Sequence, residues 1–160
     1  LKDMVKSKNL NKPYLILEPG RSIVGEAGIT LYTIGRVKEI KDVKNYLAID
    51  GGMFDNPRFA LYQAKYTVKI ANNMSAKADK LYSIAGKCCE SGDLLQENVL
   101  MPKPVRGDVL AVLVTGAYNY SMASNYNRVP RPAVVMLGDS DRVVIRRETP
   151  EDVSRLDVIL

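Results

Sequence analysis

The run Gly86-Lys87-Cys88-Cys89-Glu90-Ser91-Gly92-Asp93 sets a thiol beside a carboxylate and closes on a Gly-Asp pair. A thiol gives or takes a proton near neutral pH once its surroundings shift its pKa. The neighbouring carboxylate can read an ammonium group. Glu is almost never buried without a partner, so the run is expected on a loop that holds Cys89 and Glu90 out to solvent or ligand. Cys88 is expected to be a small, buried, hydrophobic side chain.

Three other stretches carry chemistry. Glu18-Pro19-Gly20-Arg21 follows an apolar run, Tyr14-Leu15-Ile16-Leu17. Its Gly lets backbone N–H groups approach a ligand, and Arg21 offers a planar fork to a carboxylate or phosphate. An ordinary Pro-Gly turn with a surface Arg has the same four residues. Asp55-Asn56-Pro57-Arg58-Phe59-Ala60-Leu61-Tyr62 sets Arg58 and Tyr62 four apart. On a helical turn they share a face and can grip one carboxylate, or they are an exposed Arg beside a half-buried Tyr. Gly116-Ala117-Tyr118 ends another apolar run, where small residues leave room and a Tyr offers both ring and hydroxyl, or caps the core. Tyr120 and Tyr126 are read as packing residues.

The remaining inventory narrows the chemistry. There is no His, so Ser-His and Cys-His mechanisms are excluded, and any acid or base must be Cys, Glu, Asp, Lys or Tyr. Cys88 and Cys89 are the only cysteines, adjacent to each other, which suits neither a disulfide nor a zinc site. Two unpaired thiols point to a reducing, cytoplasmic compartment. The 23 basic and 18 acidic residues leave a scattered net charge of +5, without the Lys/Arg block of a nucleic-acid footprint. No stretch approaches the roughly 18 consecutive apolar residues of a membrane span.

The positioning elements read as mainly β. Leu1, Met4 and Val5 recur at helical spacing, so residues 1–9 are predicted as the last turns of a helix. Tyr14–Leu17 is predicted as a short, fully buried strand. Helix, buried strand and loop make half of an α/β repeat whose other repeats are absent, so the chain is expected to start mid-domain. Strands are predicted over Thr30–Ile40, Asn45–Asp50, Tyr66–Ile70, Asp79–Gly86 and Val109–Val114. Ala133–Leu137 and Arg142–Arg146 flank Gly138-Asp139-Ser140-Asp141 and read as a hairpin. Thr149-Pro150-Glu151-Asp152 reads as a helix start. Many short strands suggest a β-barrel or sandwich over 29–160, preceded by a small α/β stub over 1–28.

In this order and spacing, Glu18-Pro19-Gly20-Arg21, Asp55 to Tyr62, Cys88 to Asp93, and Gly116 to Tyr118 with Ser121 to Asn127 resemble the carboxy-terminal part of the diaminopimelate decarboxylases. That family belongs to the pyridoxal-phosphate decarboxylases with an alanine-racemase-like fold, and the likeness runs from about Leu15 to Leu137. Glu90-Ser91 after the thiol points to this branch, since ornithine decarboxylases usually carry Asp-Gly there. The resemblance implies a TIM barrel followed by a β-barrel domain, with 1–28 as the last helix-strand unit of that barrel. It also implies a cytoplasmic homodimer with active sites formed between subunits.

Carried over by position, Glu18, Pro19, Gly20 and Arg21 hold the phosphate of pyridoxal 5'-phosphate, and Arg21 also reaches the substrate. Arg58 and Tyr62 bind the distal carboxylate of meso-diaminopimelate, and Glu90 its distal ammonium. Tyr118 touches cofactor and substrate. Cys89 donates a proton after carbon dioxide leaves, giving L-lysine. Such enzymes attach the cofactor to a barrel Lys, and a barrel takes roughly 250 residues. Lys2, Lys6, Lys8 and Lys12 do not match that position, so the chain alone is expected to be inactive. The alternatives are a sibling ornithine, arginine or carboxynorspermidine decarboxylase, or a non-catalytic β module that dimerises or binds.

Overall fold

One long strand organises the molecule. In the computed structural model, which describes residues 1–158, strand β1 (Ile29–Ile40) pairs by its first half with one neighbour and by its second half with another. Ile159 and Leu160, the end of the expected 29–160 domain, lie outside the described residues. The change of partner falls at an irregularity between Ile34 and Val37, which lets the strand turn a corner without losing its ladder. Its side chains alternate, with Tyr32 and Ile34 buried and Leu31 and Thr33 outward.

Strands β2 (Lys44–Ile49), β3 (Val68–Ile70), β4 (Lys80–Ala85), β5 (Leu94–Met101) and β6 (Val109–Leu113) complete a six-stranded sheet of order β3-β6-β1-β2-β4-β5. All neighbours are antiparallel except β2 and β4, whose parallel pairing requires the long connection that carries the Asp55–Tyr62 segment. The edge strands come together, with the Tyr66 backbone N–H donating to Gln96 Oε1 across the seam at 2.6 Å. The sheet is therefore a nearly closed barrel. Its core is Tyr32, Ile34, Leu47, Ile49, Val68, Ile70, Tyr82, Ile84, Leu95, Met101, Leu110 and Val112.

Strand β5 was not expected from the sequence. The predicted strands over Thr30–Ile40, Asn45–Asp50, Asp79–Gly86 and Val109–Val114 all form within a residue or so of their expected limits. The 66–70 strand is shorter, at three residues. The hairpin forms as β7 (Val134–Met136) with β8 (Arg142–Ile145), a separate two-stranded sheet. The last helix, α4 (Pro150–Ser154), has Thr149 as N-cap and a full capping box with Asp152.

The front of the chain differs from expectation in one element. Helix α1 (Lys2–Ser7) is present, but Tyr14–Leu17 forms no strand and lies exposed, Tyr14 completely so. Apolar composition does not make a strand by itself: a ladder needs a neighbour to accept and donate, and none of the described strands runs beside this segment. The Glu18–Arg21 loop then leads into the short helix α2 (Arg21–Val24).

Candidate active site

Two clusters emerge from the four sequence motifs. The first gathers Arg21, Arg58, Tyr62 and Tyr118. Helix α3 (Arg58–Tyr62) follows Pro57 and ends at Gln63 in a left-handed conformation. Its spacing puts Arg58 and Tyr62 on one face as expected, with the guanidinium carbon 5.1 Å from the ring centroid. The same guanidinium lies 5.8 Å from the Tyr118 ring, and that of Arg21 lies 5.7 Å from it. Two cations thus flank one phenol.

Tyr118 reaches this place because its backbone adopts the left-handed conformation (φ 60°). The segment before it packs backbone to backbone. Gly116 N–H donates to the Gly25 carbonyl at 3.0 Å, and Thr115 N–H to that of Gly28 at 2.9 Å. A Cβ on Gly116 would sit 1.9 Å from the Val24 carbonyl oxygen, so only Gly allows α2 to dock on the end of β6. The Tyr118 hydroxyl in turn lies against Gly20, where a Cβ would meet it at 1.9 Å.

Arg21 Nη1 donates to the Val114 carbonyl at 3.0 Å, but its Nη2 is buried without a partner. Arg58 Nε is likewise buried and unpartnered, while its Nη1 faces Met122 Sδ at 3.7 Å. Unmet guanidinium donors in one place ask for an anion. Both Arg residues line a cleft of about 220 Å³ with Lys65, Thr67 and Val114. Glu18 and Pro19 lie exposed and are not among the residues that line it.

The second cluster is the loop between β4 and β5. Cys89 and Glu90 are exposed, as expected, and Cys88 is half-buried. Glu90 accepts from Gly92 N–H at 3.2 Å and from Ser91 Oγ at 3.3 Å, which holds its carboxyl below the usual range, so it is ionised at neutral pH. Burial, with Asp93 adding its negative charge, pushes the Cys88 thiol up to about 11. The two neighbouring thiols are therefore unlike, and only Cys89 faces solvent freely.

Sequence reading missed three residues of this region. Tyr126, read as packing, sets its hydroxyl 3.4 Å from Glu90 Oε2 as donor. Asp93 and Asp55 are almost fully buried rather than displayed at turns. Asp55 accepts from Tyr32 Oη at 2.5 Å and from Gly52 N–H at 3.2 Å, and burial raises its carboxyl to about 6. Their signal in the sequence is an acid shortly after glycine, Asp55 after Gly51-Gly52 and Asp93 after Gly92, which recurs too widely to single them out.

Among the described residues, no hydrogen bond, ion pair or cation–ring contact joins Cys89 or Glu90 to Arg21, Arg58, Tyr62 or Tyr118. The structure brings the four motifs into two groups, not one. A larger hollow of about 620 Å³, lined in part by Glu39, Lys44, Lys80 and Asn98, holds none of the candidate residues. Its Lys44 and Lys80 are already paired with Glu97 and Glu39.

The chain is 56% identical over 147 residues to a diaminopimelate decarboxylase of Bacillus subtilis, covering 91% of this chain and 34% of that protein. It is 52% identical over 161 residues to one of Halalkalibacterium halodurans, covering 100% and 37%. The crystal structure of diaminopimelate decarboxylase from M. jannaschii in complex with L-lysine superposes with a TM-score of 0.83 at 38% identity, over 99% of this chain and 36% of that one. The chain spans about a third of the length of the curated relatives it matches. A family model matches residues 14–116, more than half of the sequence, and the chain belongs to that family, the C-terminal sheet domain of pyridoxal-dependent decarboxylases.

Proposed function

We propose that this chain is the carboxy-terminal portion of a pyridoxal-phosphate-dependent carboxy-lyase that converts meso-2,6-diaminopimelate to L-lysine and carbon dioxide. Residues 1–28 would be the end of an α/β barrel and 29–160 the sheet domain. In that setting the exposed Tyr14–Leu17 run gains the ladder partners it lacks here, and the Lys that holds the cofactor comes from the barrel. The chain alone would not turn over, and the enzyme would work in the cytoplasm, where its thiols stay reduced.

The observation that carries the reading is the pair of unmet guanidinium donors around Tyr118. Arg21 Nη2 and Arg58 Nε are buried without partners, which fits an anionic ligand with more than one acidic group. The cofactor phosphate would lie by Glu18, Pro19, Gly20 and Arg21, with the Tyr118 hydroxyl at Gly20. When bound, pyridoxal phosphate supplies the electron sink for the pair left by the departing carboxylate. The chain's own residues would do the rest. Arg58 and Tyr62 hold the distal carboxylate, Glu90 the distal ammonium, and Cys89 gives its thiol proton to the carbon that lost carbon dioxide, then regains one from water.

The absence of contact between the two clusters favours a homodimer with shared sites. Cys89 and Glu90 would serve the cofactor of the partner subunit, while Arg21 and Tyr118 serve their own. The same cofactor elements would also suit a sibling decarboxylase of ornithine, arginine or carboxynorspermidine. Glu90 distinguishes it, since only a substrate with a distal ammonium beside a distal carboxylate needs both Glu90 and Arg58.

Steady-state kinetics of the full-length protein test this. Glu90→Ala should lower kcat/KM on meso-diaminopimelate by about tenfold to a hundredfold, the loss of a charged hydrogen bond, and barely change any turnover of 2-aminopimelate, which lacks the distal ammonium. Equal loss on both substrates would remove Glu90 from the recognition role. Unchanged turnover in Cys89→Ser would remove Cys89 as proton donor and revive a non-catalytic module.

A further inference from the structure

The Cys88–Gly92 loop carries a thiol and a carboxylate for which position is everything, yet it is five residues long and mostly exposed. What fixes it is a third group. Asp93 closes the loop, is only 3% exposed, and joins none of the ion pairs among the described residues. Its Oδ2 accepts from Cys88 N–H at 2.7 Å, within the loop. Its Oδ1 accepts from Met53 N–H at 2.6 Å, in the turn that leads into α3. The Lys87 N–H completes the seam by donating to the Gly51 carbonyl at 3.0 Å.

We propose that Asp93 is a positioning residue that locks the Cys88–Gly92 loop onto the turn carrying α3, and so fixes the place from which Cys89 and Glu90 reach the site they share with a partner subunit. The role rests on the decarboxylase reading of those two residues. Two glycines shape the place. A Cβ on Gly86 would lie 2.2 Å from Asp93 Oδ2, and one on Gly52 2.6 Å from Oδ1. The carboxylate is thus enclosed on both sides by backbone that has no side chain to yield.

The chemistry requires a carboxylate. Its two oxygens accept from two N–H groups on different segments. An Asn of the same shape has one acceptor, and its NH₂ would confront either Met53 N–H or Cys88 N–H, leaving a buried donor unmet. Asp93 also stands beside the half-buried Cys88 thiol, which faces Asp55 and Lys87 as its other charged neighbours. Burial first, and then the charge of the same carboxylate, holds the proton on the Cys88 thiol, while Cys89 stands exposed.

Asp93→Asn in the full-length holoenzyme separates positioning from mere folding. Residue-resolved alkylation by iodoacetamide reads the loop without using turnover. In the wild type, Cys89 should be labelled at least about tenfold faster than Cys88 at pH 8. In Asp93→Asn the onset of Cys88 labelling should move to lower pH and its rate at pH 8 should rise about tenfold. The variant should melt in one transition, with kcat on meso-diaminopimelate down about tenfold or more. A cooperatively melting Asp93→Asn whose Cys88 labelling and kcat stay within about twofold of wild type overturns the proposal. If that variant does not fold, the wild type decides: equal labelling of Cys88 and Cys89 overturns it. A wild type with the labelling contrast but no turnover of meso-diaminopimelate would sink the decarboxylase reading and support the latch alone.

Discussion

The loop at Cys88–Asp93 and the loop at Glu18–Arg21 were equally conspicuous as sequence, and the fold treats them in opposite ways. The first is rooted at both ends in the barrel, between β4 and β5, with Gly86 N–H donating to the Asp93 carbonyl at 2.9 Å. Its fixing groups include both Asp93 side-chain oxygens, each on a backbone donor. The second is rooted at one end only. Behind it lies an exposed apolar run, and ahead of it α2 is docked by backbone-to-backbone contact through Gly28 and Gly116. One loop is closed at both ends by the barrel, and the other is docked at one end only.

The backbone docking should be the less forgiving of the two. Gly116→Ala drives a Cβ to 1.9 Å from the Val24 carbonyl oxygen and 2.9 Å from Gly28 N, and neither atom is the end of a flexible side chain. More than about 3 kcal/mol should be lost, seen as a large fall in melting temperature. Gly92→Ala, in the other loop, meets nothing nearer than Glu90 Oε1 at 3.8 Å and should cost less than about 0.5 kcal/mol. Similar losses for both would mean that the two loops are not held differently.

Titration offers a second way to separate them, because one anchorage holds a buried carboxyl whose titration is displaced. The turn that receives the Cys88–Asp93 loop includes Asp55, whose carboxyl burial has raised to about 6. A folded-state pKa above the unfolded value makes a contribution that is fully present below about pH 4. That contribution is lost as pH rises through about 6. Relative to Asp55→Asn, the wild type should therefore be favoured at pH 4 and lose about 2–3 kcal/mol of that advantage by pH 7. Glu148 runs the other way, held down to about 2 by Arg131, so its contribution is present above about pH 4 and is lost as pH falls through about 2. Thermal melts of both proteins from pH 4 to 7.5 measure the difference. A flat difference would show that Asp55 is not buried as an acid.

What the sequence shows and conceals follows the same division. The strands β1, β2, β4 and β6 were legible because each puts an apolar pattern or run between turn residues. The capping box at Thr149 was legible because it is local. Strand β5 was not. Leu95 and Gln96 are buried side by side, and Asn98 takes a left-handed conformation at a bulge, with its N–H 3.3 Å from Ser83 Oγ. Both features break the two-residue period on which a strand is read. Tyr14–Leu17 failed in reverse, its composition promising a strand whose partners this chain does not supply. Among the candidate site residues, Cys89 and Glu90 stood out by type and spacing, whereas Arg58 and Tyr62 took their proposed roles only from the family resemblance. Asp93 and Asp55 could not, since acids are ordinarily exposed and only the tertiary approach of Gly52 and Gly86 encloses them.

The smallest effect on stability tests the contact between the unfinished loop and the site. Gly20→Ala produces a nominal clash as severe as that at Gly116, with Cβ 1.9 Å from Tyr118 Oη. Here, however, the obstructing atom is the tip of a ring that is 47% exposed, and it can swing away. Melting should shift by less than about 0.5 kcal/mol equivalent. The displaced ring would lose its place between the Arg21 and Arg58 guanidiniums, so affinity for pyridoxal phosphate in the full-length protein should fall about twofold to fivefold. A large loss of stability would instead show that Tyr118 is as rigidly held as the glycine backbone beneath it. The Glu18–Arg21 loop would then be as complete within this domain as the one that carries Cys89.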